Sequence, residues 1–213
     1  MTHPLTPLRL SRPLLRTAAL AVSVAAAAAV LPGCVLLLGG AAVGGGLIVT
    51  DRRTSGAQLE DESIELKSSK RIREAIGDGA HAGVTSFNRV ALVSGEVPTE
   101  ADHEAVIRAV KGVDNVRNVD DELLVGPNAS LSTVSSDTVI TSRVKAALVE
   151  AKDLQANAIK VVTDRGNVYL MGIVTEREAA RATDLARGVP GVMKVVRVFE
   201  VVSEAELANL QHK

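Results

Sequence analysis

The chain repeats itself once, and this internal repeat constrains the fold more than any other feature of the sequence. Residues 87–97 resemble residues 164–174 at an offset of 77, and residues 110–113 resemble residues 186–189 at an offset of 76. One additional residue near Pro98 accounts for the change of offset. Because there are two copies rather than three or more, the pattern favours two small domains over a solenoid.

The second copy has the clearer pattern of helices and strands. Ser136 or Asp137 is placed to cap a helix that carries Ile140, Val144 and Leu148 on one face. Strands are predicted over 158–163, 168–174 and 192–202. Residues 175–178 have the form of a capping box, a Thr followed three residues later by Glu, and the helix that they open should end at Gly188.

The first copy follows the same order, with helices ending at Ile76 and spanning 99–110, and strands near Val84, over 90–93 and over 116–125. The order α-β-β-α-β predicts an α+β fold in which each copy packs two helices on a small mixed three-stranded sheet. Gly95 and Gly172 fall at equivalent strand ends, where we expect a backbone or close-packing requirement. The predicted boundaries are a signal peptide (1–33), a lipidated Cys and Gly-rich tether (34–61), domain 1 (62–126), a linker (127–136), domain 2 (137–204) and a tail (205–213).

The first fifty residues resemble an export signal. Three Arg precede residue 17, and residues 17–50 carry no charge. A basic start followed by a short apolar run is typical of a secretory signal, and the alternative is a transmembrane helix. Residues 31–34, Leu-Pro-Gly-Cys, resemble the lipobox of bacterial lipoproteins, although Pro32 replaces the usual Ala or Ser. This resemblance implies that Cys34, the single Cys, carries acyl chains such as palmitate, and Val35 after it implies sorting to the outer membrane.

The duplicated unit resembles the BON domain, on residues 170–179 and on the Gly-Val-x-x-Val pattern at 112–116 and 188–192. Two such domains after a lipobox resemble a family of periplasm-facing outer-membrane lipoproteins. The resemblance implies a non-enzymatic role in envelope integrity, enrichment at the division site, and binding of anionic phospholipid through the first helix of the second domain. On that helix Val139 stands where the family's best-known member has Trp, and Arg143 and Lys145 keep its basic character. The alternative is an ordinary solvated helix face.

Charge and composition narrow the remaining function classes. Residues 51–137 hold 10 Lys/Arg and 16 Asp/Glu, whereas residues 138–213 hold 11 and 9, so the second domain is the better candidate for an anionic membrane. One Tyr, two Phe and no Trp argue against a single-stranded nucleic acid platform, and a net charge of −1 argues against duplex binding. No zincin, P-loop or nucleophile-elbow motif is present, so we expect no enzyme, no metal and no cofactor.

Two alternative functions stand beside a lipid-binding module. The first is an adaptor that docks onto outer-membrane assembly, peptidoglycan-remodelling or division-site proteins. The second, a soluble periplasmic chaperone, conflicts with Cys34.

Overall fold

The computed structural model describes residues 51–77, 79 and 81–211, which belong to one compact unit, Val49–Lys213. The predicted signal peptide, Cys34 and most of the predicted tether lie outside these residues. The described part contains two α-β-β-α-β units and a final short helix, so the predicted α+β fold class is confirmed.

Domain 1 comprises α1 (Ser55–Ile76), β1 (His81–Phe87), β2 (Val90–Val97), α2 (Glu100–Lys111) and β3 (Asn118–Val125). Domain 2 comprises α3 (Leu131–Glu150), β4 (Ile159–Asp164), β5 (Asn167–Val174), α4 (Glu176–Arg187) and β6 (Lys194–Val201), and α5 (Glu204–Gln211) follows. In each domain the central strand pairs antiparallel with the strand before it and parallel with the strand after it. Both sheets are therefore mixed, as predicted.

The two faces of each sheet serve different purposes, because side chains alternate along a strand. On β2, Ala91 and Val93 pack under the helices, while Leu92 points to the opposite face. On β5, Val168 and Leu170 join the helices, and three alternate residues point away from them. The helix-free faces form a third, shared apolar core, whose buried members are Phe87, Leu92, Tyr169, Met171 and Ile173. The two domains are thus joined sheet against sheet.

One buried carboxylate fixes the hairpin turn in each domain. Asp61 on α1 accepts hydrogen bonds from the backbone N–H groups of Asn88 and Arg89, both at 2.7 Å. Asp137 on α3 accepts them from the N–H groups of Arg165 and Gly166, both at 2.8 Å. These turns have positive φ angles and leave N–H groups without a strand partner, and a buried unpaired N–H is costly. The two Asp residues therefore hold each hairpin against the first helix of its own domain.

Strand β2 extends to Val97, beyond the predicted 90–93, and three helices depart further from the predicted boundaries. Helix α3 begins at Leu131 with Ser130 as its cap, not at Ser136 or Asp137, because Asp137 is committed to the hairpin turn. Most of the predicted 127–136 linker is therefore helical. Helix α1 likewise begins within the predicted tether, and α5 begins at Glu204, the last residue of the predicted domain 2, and continues into the predicted tail.

The prediction for the two glycines is confirmed. A Cβ on Gly95 would lie 1.7 Å from the carbonyl oxygen of His81, and the φ of Gly95 is 114°. A Cβ on Gly172 would lie 2.5 Å from the carbonyl oxygen of Ala158. Both contacts are with backbone, so neither neighbour can move away as a flexible side chain would. The predicted capping box at Thr175 and Glu178 is also present.

Candidate lipid-binding surface

Helix α3 presents one face to the core and the opposite face to solvent. Its buried stripe consists of Asp137, Ile140, Val144 and Leu148. The three residues that the sequence singled out, Val139, Arg143 and Lys145, are all exposed, and Val139 is 47% accessible. The structure therefore places all three predicted residues on the solvent face of one helix.

The two basic residues flank the exposed face of α3 on opposite sides. At about 100° per residue, Arg143 lies roughly 40° from Val139 around the helix axis, and Lys145 lies about 120° away in the other direction. Arg143 lines a shallow groove against the end of α4, together with Leu185 and Pro190. Lys145 instead lines grooves toward domain 1. The basic side chains therefore border the face rather than forming a single cluster.

The same helix exposes further large apolar side chains, Leu131, Val134 and Val149. Val149 is 68% accessible although it carries no polar atom in its side chain. A continuous apolar stripe bordered by Lys and Arg is the pattern of a helix that lies in a membrane interface. On α3 the exposed Ser135, Thr138 and Ser142 lie among the apolar residues, so its apolar face is interrupted. A scattering of exposed apolar residues is also normal on soluble proteins. The basic residues Arg143 and Lys145 are therefore what distinguishes this face from an ordinary solvated one.

A groove separates α3 from domain 1. Its larger part, about 760 Å³, is lined by His81 and Gly83 of β1 and by Val134, Thr138 and Lys145 of α3. Asp164, at the end of β4, also lines it, and burial together with the nearby charge of Glu96 raises the pKa of this carboxyl. Most of the lining residues have polar or charged side chains, whereas pockets that hold small molecules are lined mainly by apolar ones.

The sequence reasoning missed the segment of residues 51–54, which it assigned to the tether; we call this segment the strap. Arg52 in the strap is buried in domain 2, where its side chain is 4% exposed. Its guanidinium donates two hydrogen bonds of 2.8 Å to the carboxylate of Glu178 and one of 2.7 Å to the carbonyl of Ile173. The hydrogen bond from Arg52, the largest effect, lowers the pKa of Glu178 despite its burial.

The next residue of the strap binds domain 1. Arg53 donates a 2.7 Å hydrogen bond to Asp61, and its guanidinium lies 4.1 Å from the centre of the Phe87 ring. Burial alone would raise the pKa of Asp61, but hydrogen bonds from Ser86, Arg53 and the hairpin N–H groups outweigh it and lower that pKa. The strap therefore connects both domains at the point where the chain enters the described structure. Two adjacent Arg after an uncharged stretch were the only sequence signal for it.

Four further ion pairs among the described residues cross the domain interface. Arg117 of domain 1 lies 2.7 Å from Glu200 of domain 2, in the same sense as Arg52 with Glu178, and three pairs run in the opposite sense. Lys160 of β4 lies 2.9 Å from Glu65 of α1, and Lys194 of β6 lies 3.9 Å from Glu122 of β3. Arg165 donates to Glu96, which is fully buried. Domain 1 supplies the carboxylates and domain 2 the cations in all three pairs. The acidic excess of domain 1 is thus partly neutralised inside the molecule.

No group of three or more His, Cys, Asp or Glu side chains lies close enough to hold a metal ion among the described residues. No described helix combines the length and the apolar character needed to cross a bilayer.

Comparison with known proteins identifies the repeat. The sequence profile of the BON domain matches residues 60–127 and 136–203. Outer membrane lipoprotein DolP of Haemophilus influenzae is 34% identical over 172 residues, which cover 80% of this chain and 89% of that protein. A 21 kDa hemolysin of Actinobacillus pleuropneumoniae is 29% identical, covering 71% and 79% of the two chains.

Osmotically-inducible protein Y of Escherichia coli is 33% identical over a shorter region, 53% of this chain and 57% of that protein. The matches extend across both repeats of the chain, so they concern the duplicated unit as a whole. The chain therefore belongs to the BON domain family, as a two-domain member of the kind found in outer-membrane lipoproteins.

Proposed function

We propose that this protein is a lipid-anchored component of the outer membrane, facing the periplasm, that supports envelope integrity by binding anionic phospholipid through α3. The exposed face of α3, with Val139 between the basic borders Arg143 and Lys145, is the observation that carries this proposal. The similarity to outer membrane lipoprotein DolP supports it. Enrichment at the division site belongs to the same proposal and rests on the family resemblance alone.

The anchor is proposed at Cys34. Acylation of a Cys after a lipobox would hold the protein on a membrane, since each buried CH₂ contributes about 0.8 kcal/mol and several chains act together. The Cys34→Ser variant should remain as an uncleaved precursor and incorporate no labelled palmitate in cells, because the signal is removed only after the Cys is modified. Normal processing of this variant, with normal fractionation to the outer membrane, would contradict the proposed anchor.

Lipid binding is tested with the Val49–Lys213 fragment, which is one compact unit and contains both cores and their interface. The fragment should co-sediment with phosphatidylglycerol vesicles more strongly than with phosphatidylcholine vesicles. The paired change Arg143→Gln and Lys145→Gln should weaken binding about 10- to 30-fold, since each basic residue near an anionic surface contributes about 1 kcal/mol. Added salt should have the same effect.

A matched control removes two exposed cations from the neighbouring helix α4. Arg177→Gln with Arg187→Gln makes the same change of charge, and both side chains are about 60% exposed. This control should bind nearly as well as the parent fragment, and Val139→Trp should bind more strongly because its ring adds apolar area at the interface. Equal binding to both kinds of vesicle would contradict the lipid-binding function and favour an adaptor of assembly or division-site proteins.

A further inference from the structure

The exposed face of α1 in domain 1 combines apolar and basic residues more strongly than that of α3. Leu59 and Leu66 lie seven residues apart on one face and are 68% and 73% exposed. Lys67, Lys70 and Arg73 follow on the same side of the helix, and all three are exposed. Glu74 is the one acidic residue within residues 66–76. The C-terminal half of α1 is therefore strongly basic, although domain 1 as a whole is acidic.

Neighbouring groups neutralise little of this charge. Lys70 lies 3.8 Å from Glu74, but both side chains are more than 60% exposed, and such surface pairs contribute little. Arg71, by contrast, turns toward the end of α2, where its Nη1 lies 2.8 Å from the point that a Cβ on Gly112 would occupy. Three of the four cations in this half of α1 therefore face solvent.

The internal repeat relates this face to the one on α3. Asp61 and Asp137 have the same role in the two domains and differ by 76 in number. With this offset, Lys67 corresponds to Arg143 and Lys70 corresponds to Ala146. The two first helices thus share a basic residue on the same flank, and α1 carries a second cation where α3 has a methyl group.

Contacts connect the surroundings of α1 and α3 near both ends of the two helices. Glu65 in the middle of α1 binds Lys160 on β4, the strand next to α3. Gly79, just after α1, accepts a hydrogen bond from Asn128, just before α3. At the other end, Asp51 in the strap lines one groove with Lys145 and Val149 of α3. The chain therefore enters the described structure beside the end of α3 and at the start of α1.

We propose that α1 is a second membrane-contact surface of this protein, on which Lys67, Lys70 and Arg73 bind the headgroups of anionic phospholipids and Leu66 enters the interface. The occupant is a bilayer surface because the exposed Leu66 lies on the same helix face as Lys70 and Arg73, which is the pattern of an interfacial helix. Farther toward the N-terminus, the exposed Glu62 lies between Leu59 and Leu66, so the proposed contact is the C-terminal half of α1. This inference rests on the proposed function, since it requires the protein to lie at an anionic membrane. It adds domain 1 to a contact that the sequence assigned to domain 2 alone.

The test compares two charge-matched pairs of changes in the Val49–Lys213 fragment. Lys67→Gln with Lys70→Gln should weaken binding to phosphatidylglycerol vesicles about 10- to 30-fold, because each basic residue near the surface accounts for roughly fivefold. Arg108→Gln with Lys111→Gln removes two exposed cations from α2, and Arg108 has a helical Glu partner just as Lys70 has. This control should change binding less than twofold.

Leu66→Trp supplies an independent variant that leaves the charge unchanged. It should strengthen vesicle binding, and its fluorescence should shift to shorter wavelength with anionic vesicles, because Trp prefers the membrane interface. Thermal melting of each variant should match the parent fragment, since all the changed side chains are exposed.

The outcomes separate this inference from the proposed function. Weaker binding of the Lys67→Gln/Lys70→Gln variant supports the inference. If the Arg143→Gln/Lys145→Gln variant binds normally at the same time, only the proposed role of α3 is removed. Loss in the α3 pair, with normal binding of the α1 pair and no spectral shift in the Leu66→Trp variant, would overturn the inference and leave the proposed function intact. A parent fragment that does not bind anionic vesicles would overturn both.

Discussion

The buried pair of Arg52 and Glu178 gives the sharpest prediction about stability. The two side chains are only 4% and 7% exposed, and the guanidinium also donates to the Ile173 carbonyl and the Gln155 amide oxygen. Arg52→Gln would leave the Glu178 carboxylate buried without its cation. Breaking such a pair from one side costs about 3–5 kcal/mol, which is a large share of a typical stability of about 5–15 kcal/mol.

Thermal and urea unfolding of the Val49–Lys213 fragment measure this cost. For a chain of this size, a loss of 3–5 kcal/mol corresponds to a fall in Tm of roughly 6–20 °C. Arg177→Gln is the matched control on the same helix, because Arg177 and its partner Glu204 are 59% and 66% exposed and surface pairs are worth at most about 1 kcal/mol. An effect of Arg52→Gln no larger than that of the control would refute the reasoning.

A double-mutant cycle with Glu178→Gln separates the ion pair from the remaining contacts of Arg52. Gln at position 178 still accepts the Thr175 N–H, so the capping box of α4 is retained. The double variant should be less destabilised than the sum of the single variants, because the second change removes the unpaired buried charge. Additive effects would show that the two side chains do not interact.

The remaining predictions concern buried groups and pH. Ser68 is buried on α1, and its hydroxyl has no hydrogen-bond partner within the described part of the chain. Ser68→Ala should therefore raise the free energy of unfolding, measured in urea, by about 1 kcal/mol. A lower free energy of unfolding would contradict this prediction. Gly172→Val should cost about 1–3 kcal/mol, whereas Gly126→Val, with no atom within 4 Å of the added Cβ, should change the same urea midpoint little. The pKa of Glu178 is lowered in the folded protein, so its contribution to stability is complete above its unfolded pKa of about 4.3 and is lost as the pH falls through its folded pKa. The free energy of unfolding should therefore fall more steeply with decreasing pH for the parent than for Arg52→Gln. Equal slopes would count against Arg52 as the cause of the lowered pKa.

Local patterns predicted the elements but not all of their ends. The capping box at Thr175 was identified because both of its partners lie within four residues, and the structure contains it. The start of α3 was missed because six of the eight residues at 130–137 are Ser, Thr or Asp, which can all cap a helix well. What decides among them is the hydrogen bonding of Asp137 to a turn that lies 28 residues away. A single sequence does not display that contact.

The strap was missed for a related reason. Arg52 and Glu178 are separated by 126 residues, and nothing in the pattern around either residue indicates the other. From the sequence alone, residues 51–54 were assigned to the tether, and the charged run Asp51-Arg52-Arg53 does not by itself indicate a contact with either domain. The buried face of α3 was predicted correctly, because the spacing of Ile140, Val144 and Leu148 determines which side of the helix packs on the core. Val139, Arg143 and Lys145 were chosen from the family resemblance, and the structure exposes all three.

The charge asymmetry of the two halves has a different meaning in the structure than in the sequence. Read along the chain, a net charge of −6 for residues 51–137 suggested a domain that faces away from an anionic membrane. In the folded protein, Glu65, Glu96 and Glu122 pair with cations of domain 2 across the interface. Three of the sixteen carboxylates of this half are therefore paired across the domain interface, while Lys67, Lys70 and Arg73 of α1 remain exposed. The charge that a membrane meets is set by this distribution, and net charge per domain is a poor guide to it.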